Sequence, residues 1–182
     1  MKLKFALPVA AICLLVVLLL AGLGVAYTWG GQATGHFQAQ AGTWSTPTPV
    51  PTPPECAGMT FDQVITLTGG NDTIVVPGST RDLIFGLGGN DVIHGGNGVD
   101  CIVGGEGDDQ LLGGNGADVI LGGPGNDEVL GGAGADRLFG GVDDDAVGGG
   151  RGNDFIDGGD GTDSCSGGVG VDTFANCEQA TQ

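Results

Sequence analysis

Positive charge is almost missing from this chain. Lys and Arg together number 5 against 22 Asp plus Glu, a formal net charge of −17. Lys2 and Lys4 stand at the start, so the remainder has only Arg81, Arg137 and Arg151. An acidic body of this kind repels nucleic-acid phosphates and anionic lipid, and it attracts cations. No nucleic-acid partner is expected. Other signatures are also missing. Cys and His do not occur at the close spacing that zinc wants. No Gly-x-Gly-x-x-Gly fingerprint or phosphate loop occurs despite 40 glycines. No nucleophile stands near a base, and no enzyme is expected.

Long apolar runs are confined to one place. Phe5 to Tyr27 carries no charge and follows the two lysines. A helix of that length spans a hydrocarbon core of about 30 Å. The lysines would hold its start in the cytoplasm and leave the rest outside. Residues 1–27 are therefore expected to be a signal anchor or a signal peptide. The length favours the anchor, while Gly24-Val25-Ala26 and Ala39-Gln40-Ala41 offer cleavage sites. Residues 28–55 form a linker ending in Thr46-Pro47-Thr48-Pro49-Val50-Pro51-Thr52-Pro53-Pro54. Alternating proline favours an extended polyproline stalk. Residues 56–68, with Met59, Phe61, Val64 and Ile65, are expected to cap the first repeat.

Residues 69–175 are periodic. From Gly86 the chain repeats every nine residues without a slip, as in Gly95-Gly96-Asn97-Gly98-Val99-Asp100-Cys101-Ile102-Val103. Position six is Asp91, Asp100, Asp109, Asp118, Asp127, Asp136, Asp145, Asp154, Asp163 and Asp172, preceded by Asp72 and Asp82 in two degenerate units. Position eight is apolar throughout, from Ile74 to Phe174. Acidic, Gly-rich chains are often disordered, but a low-complexity tract has no reason to keep this register. Disorder remains an expectation only for the state without bound cations. In each unit the glycines allow a tight turn. Three residues then extend, with position eight inward and positions seven and nine outward. Two units make one coil, so each aspartate faces the one 18 residues away across a gap lined by turn carbonyls. Such hard oxygen ligands suit calcium.

These units resemble the repeats-in-toxin (RTX) calcium-binding family, whose motif is Gly-Gly-x-Gly-x-Asp-x-apolar-x. The resemblance implies an all-β, right-handed parallel β-roll of about twelve units. It implies several calcium ions between turns, held by Asp72, Asp82, Asp91, Asp100, Asp109, Asp118, Asp127, Asp136, Asp145, Asp154, Asp163 and Asp172. Many members carry a protease, lipase or pore-forming domain upstream. Here only a stalk precedes the repeats, so no catalytic activity carries over.

The four cysteines beyond the apolar run are expected to pair as Cys56–Cys101 and Cys165–Cys177. Cys101 is at an outward position within reach of the cap. Cys177 lies in a C-terminal tail, 176–182, that could return to close the open end over Cys165. The unit 140–148 has Asp143 in place of a glycine and should be the soft turn. Asp143-Asp144-Asp145 lacks the other ligands of an EF-hand loop. His94 is at an outward position and reads as a surface residue. Asn71-Asp72-Thr73 matches a glycosylation sequon inside a turn. The expected function is calcium binding in an exported, surface-tethered structural or binding module that folds on calcium, at the cell surface or secreted. The alternative is a calcium-stabilised accessory of a separate secreted hydrolase or toxin. The protein or glycan partner is not legible.

Overall fold

The computed structural model describes residues 51–182. The apolar run and most of the proline stalk lie outside them. Among the described residues no helix is long and apolar enough to cross a membrane.

A 3₁₀ turn at Pro54–Cys56 precedes the strands β1 (Gln63–Thr66), β2 (Thr73–Val75), β3 (Asp82–Gly88), β4 (Val92–Asn97), β5 (Cys101–Glu106), β6 (Gln110–Asn115) and β7 (Val119–Pro124). They continue as β8 (Glu128–Ala133), β9 (Arg137–Val142), β10 (Ala146–Arg151), β11 (Phe155–Asp160), β12 (Ser164–Val169), β13 (Thr173–Ala175) and β14 (Gln179–Thr181). Odd strands form one seven-stranded sheet in the order β1-β3-β5-β7-β9-β11-β13, and even strands form the other. All pairing is parallel, and the repeating coils stack at the expected interval, as in Leu83↔Cys101, Cys101↔Val119 and Val119↔Arg137. The result is an all-β parallel solenoid of about seven turns.

The regular strands are longer than the sequence period suggests. Each runs through positions seven to nine and on through the first three positions of the next unit, as in Cys101–Glu106. Glycine does not end these strands, because neighbouring coils supply ladder partners, as at Gly96↔Gly114.

Position eight builds the core. Ile84, Ile102, Ile120, Leu138 and Ile156 from one sheet meet Ile93, Leu111, Val129, Val147 and Cys165 from the other, all buried. The interior takes little else, since a solenoid coil of two units brings only two such side chains per turn.

The segment expected to cap the first repeat divides in two. Residues 54–61 lie across the outer face of the odd-strand sheet. Cys56, Leu83, Phe85, Cys101 and Val119 form a second buried cluster there, packed with Met59, Phe61, Val103, Leu121 and Phe139. Leu83, Cys101 and Val119 stand at position seven yet are 3%, 0% and 6% exposed. Outwardness therefore fails on this sheet: alternation fixes which way a side chain points, and a second layer decides whether it meets water. The Cys56–Cys101 disulfide fastens the layer, and the Arg137 Nη1 donates to the Glu55 carbonyl at 3.0 Å. Only β1 extends the roll itself, pairing Val64↔Leu83. That offset is one residue longer than the offset between later coils, as is Thr73↔Val92. The extra residue falls between Asp72 and Asp82.

The tail takes the form of a strand at the end of the roll. It forms β14, pairing Cys165↔Ala180, and adds a strand to the even sheet. The Cys165–Cys177 disulfide holds it.

Turn glycines at positions two and four take positive φ, for example Gly114 at 114° and Gly116 at 147°. Leu87 (φ 80°) and Asp143 (φ 82°) occupy the same two positions without being glycine. The turn at Asp143 keeps its shape, and the residue bears the strain. A left-handed L-residue costs roughly 1–2 kcal/mol, less for Asp. Leu87→Gly should therefore stabilise the calcium-loaded protein by about 1 kcal/mol, and Asp143→Gly by less. Denaturant unfolding of both variants checks this, and a lower midpoint for Leu87→Gly would contradict it.

Candidate metal centre

The coil places position-six aspartates in two rows, one along each edge where the sheets meet. One row is Asp72, Asp91, Asp109, Asp127, Asp145 and Asp163. The other is Asp82, Asp100, Asp118, Asp136, Asp154 and Asp172. Asp82 through Asp163 are buried, between 0% and 3% exposed. From Asp91 onward each carboxylate is held by the coil before it. The Asp100 N–H donates to Asp118 Oδ1 at 2.9 Å, and the Asp118 N–H donates to Asp136 Oδ1 at 2.8 Å. The same bond joins Asp91 to Asp109, Asp109 to Asp127 and Asp127 to Asp145.

The second oxygen has no partner. From Asp91 to Asp172, every Oδ2 in both rows is buried without a hydrogen bond, and at Asp82 it is Oδ1. These atoms point into spaces lined by carbonyls. A Cβ added to Gly113 would stand 2.5 Å from Asp118 Oδ2 and 2.8 Å from the Gly131 carbonyl oxygen. Gly131 repeats this with Asp136 Oδ2 at 2.5 Å and the Gly149 oxygen at 2.7 Å. Position one is glycine because a side chain would fill the cradle.

Burying an unpaired carboxylate costs several kcal/mol, and no cation among the described residues offsets it. Arg81 pairs with Asp62 at 2.9 Å on the surface. Arg137 lies over the Phe139 ring at 5.4 Å, and Arg151 is exposed. No cluster of three or more His, Cys, Asp or Glu side chains forms among the described residues. All four described cysteines are in disulfides. A cation held here would therefore take carbonyl oxygens plus few carboxylates. That donor set is hard, oxygen-only and fits calcium, which takes about 6–8 oxygens.

Burial pushes the Asp118 and Asp127 carboxyls up to about 7, against 3.8 ordinarily, with neighbouring carboxylates adding to the rise and the backbone N–H opposing it. Burial likewise lifts Asp100, Asp136 and Asp145 to about 6, and it raises Asp109 and Asp154. A carboxyl raised in the fold favours folding when protonated. Metal-free stability is thus greatest below about pH 4 and declines as pH rises through 6 to 7. Calcium competes with those protons. Because calcium folds an unfolded chain whose carboxyls titrate ordinarily at about 3.9, the calcium midpoint of folding should be flat above about pH 5 and rise below it. Titrations at several pH values check this, and a midpoint that falls on acidification would contradict it.

The sequence residues meet different fates. Asp72 is half-buried, and its Oδ2 accepts from the Thr68 N–H and hydroxyl at 2.9 and 2.7 Å. Those bonds hold its carboxyl below the usual range. Asp82 Oδ2 accepts from the Thr80 hydroxyl at 3.0 Å. Acidic residues outside position six are not all free surface charge. Asp108 Oδ1 accepts from the Asn126 N–H at 3.0 Å, and Asp144 Oδ1 from the Thr162 N–H at 2.8 Å. With Asn71, Asn90 and Asn126 they make a second ladder at position five, outside the row that contains Asp91. Asn71 of the sequon is thereby committed as an acceptor. Recurrence of Asn or Asp at position five in alternate units was the available signal. Glu178 was also missed: its Oε2 accepts from the Asp163 N–H at 2.9 Å. His94 lines a shallow groove on the outer face of the even sheet with Gln110, Leu112, Glu128 and Leu130, with no acid–base partner in it at hydrogen-bonding distance.

No curated protein and no solved structure matches the chain. A family model described as RTX calcium-binding nonapeptide repeat (4 copies) matches residues 77–111, 112–147 and 149–174, over half of the chain. The β-roll, its two aspartate rows and that match agree, and the chain belongs to the RTX calcium-binding nonapeptide repeat family.

Proposed function

We propose that this protein is a calcium-dependent structural or binding module that folds outside the cytoplasm and is tethered there by its apolar N-terminal run. The observation that carries the reading is that every row carboxylate from Asp82 to Asp172 has a buried oxygen that no protein group satisfies. A cation in each gap would satisfy those oxygens and screen like charges stacked along the roll. Without it, glycine-rich backbone must be ordered around a core of one side chain per unit, so calcium binding and folding are one event. The position-six aspartates from Asp82 to Asp172 are the proposed ligands, with turn carbonyls between them. Asp72 would contribute at the end of its row.

One observation and one general expectation support an external location. Disulfides such as Cys56–Cys101 and Cys165–Cys177 persist in oxidising compartments. Calcium sites of extracellular modules work at roughly 10⁻⁴–10⁻³ M, so they stay empty in the cytosol. The chain then crosses the membrane unfolded and folds where calcium is abundant. Circular dichroism of the full chain against free calcium should show cooperative gain of β-structure in that range. Protease added to intact cells should remove the repeats. A spectrum indifferent to calcium would overturn the binding reading, and full protection of the repeats would overturn the location.

A further inference from the structure

The row that contains Asp163 does not stop at the last matching unit. Glu178 follows Asp172 by less than one nonapeptide, too few residues for another motif unit. Yet the register Ser164↔Gln179, Cys165↔Ala180 and Ser166↔Thr181 puts Glu178 where the next position-six acid would stand. Its Oε2 accepts from the Asp163 N–H at 2.9 Å, the bond that Asp163 Oδ1 accepts from the Asp145 N–H at 2.9 Å. The carbonyl side of the cradle is rebuilt too. A Cβ on Gly140 would run into the Gly158 carbonyl, and a Cβ on Gly158 would run into the Asn176 carbonyl. Asp163 Oδ2 lies 2.5 Å from that same Gly158 position, buried and without a hydrogen bond. Asp163 itself is 0% exposed.

Two features let a shortened unit do this. Asn176 takes φ 45°, which turns the chain sharply. The Cys165–Cys177 disulfide, with Cα atoms 6.0 Å apart, then fixes the residue between Asn176 and Glu178 to the core of the preceding coil. Packing that a full nonapeptide gets from its own turn is here supplied by a covalent bond.

We propose that Asp163, the Asn176 carbonyl and Glu178 form a terminal calcium site outside the repeats, and that the Cys165–Cys177 disulfide is required for it. The inference rests on the calcium reading of the rows. It adds a ligand that the nonapeptide motif does not contain, and it makes occupancy of the last gap depend on the redox state of one disulfide. An exported chain would complete this site only after oxidation.

The test counts calcium on the full-length chain at saturating calcium by native mass spectrometry and follows backbone hydrogen exchange. Glu178→Gln keeps an oxygen acceptor for the Asp163 N–H and removes the charge. Glu128→Gln removes one charge from the exposed outer face and is the control. Cys177→Ser opens the disulfide. Glu128→Gln should bind as many ions as the parent. Glu178→Gln and Cys177→Ser should each bind one calcium fewer and lose protection over 173–181, with protection of 92–151 retained. A parent count in Glu178→Gln, or loss of protection throughout the roll, would overturn the terminal site while leaving the rows intact. A parent chain that binds no calcium would overturn the reading of the rows as well.

Discussion

Asp118→Asn should raise the calcium midpoint of folding by about tenfold or more and lower the Hill slope, whereas Asp160→Asn should leave both nearly unchanged; loss of even an outer-shell metal partner costs about 10–100-fold. Both substitutions remove one negative charge at almost constant volume. Their surroundings differ. Asp118 is 1% exposed and joins two coils, accepting from the Asp100 N–H and donating its own N–H to Asp136. Its Oδ2 faces the Gly113 cradle. An asparagine there keeps the Oδ1 rung but turns N–H donors, or an uncharged oxygen, towards a space that needs a charged acceptor. Asp160 is exposed at position three. Because stacked coils couple through nearest neighbours, a defect at Asp118 weakens two gaps and interrupts propagation. Circular dichroism against free calcium at fixed salt reads the outcome. Equal midpoints would mean that calcium responds to diffuse negative charge and that the rows are not sites.

Gly113→Ala should cost as much, for a reason of space alone. Gly113 has no positive φ, so alanine meets no torsional penalty. Its Cβ would instead stand 2.5 Å from Asp118 Oδ2 and 2.8 Å from the Gly131 oxygen, among the atoms a cation needs. Gly148→Ala is the matched comparison: its Cβ would meet only Leu130 Cδ2, at 2.8 Å. That atom ends a flexible side chain on a 42% exposed residue, which moves aside easily. Gly148→Ala should be neutral or slightly stabilising, because glycine within a strand costs roughly 0.5–1 kcal/mol against alanine. Gly113→Ala should lose calcium-induced folding over the coils that contain Asp100 and Asp118. Isothermal titration calorimetry with both variants decides it. If Gly113→Ala binds calcium like the parent, the cradle is not where the ion goes.

The sequence by itself determined the repeat and therefore most of the fold. A nine-residue period with glycines before an aspartate and an apolar residue two later has one efficient packing. Alternation along an extended strand sends position eight inward, and two units per coil bring like residues into register. Both disulfides were legible, because position seven puts Cys101 on a face and position eight puts Cys165 in the core beneath a nearby Cys177.

What tertiary structure decided lies where the period breaks or where a second layer arrives. Residues 54–61 became a lining for one sheet, because Leu83, Phe85 and Val119 make that face apolar where Gln110, Glu128 and Ser164 stand at the matching positions of the other. A single strand's alternation cannot reveal what will pack on it. The tail became a strand because a register is set by hydrogen bonds to the neighbouring coil, which allowed Glu178 to take an aspartate's place from the wrong sequence distance. The orphaned oxygens are likewise a property of assembled coils: one carboxylate oxygen is used by the N–H of the coil before it, and only stacking leaves the other buried and alone.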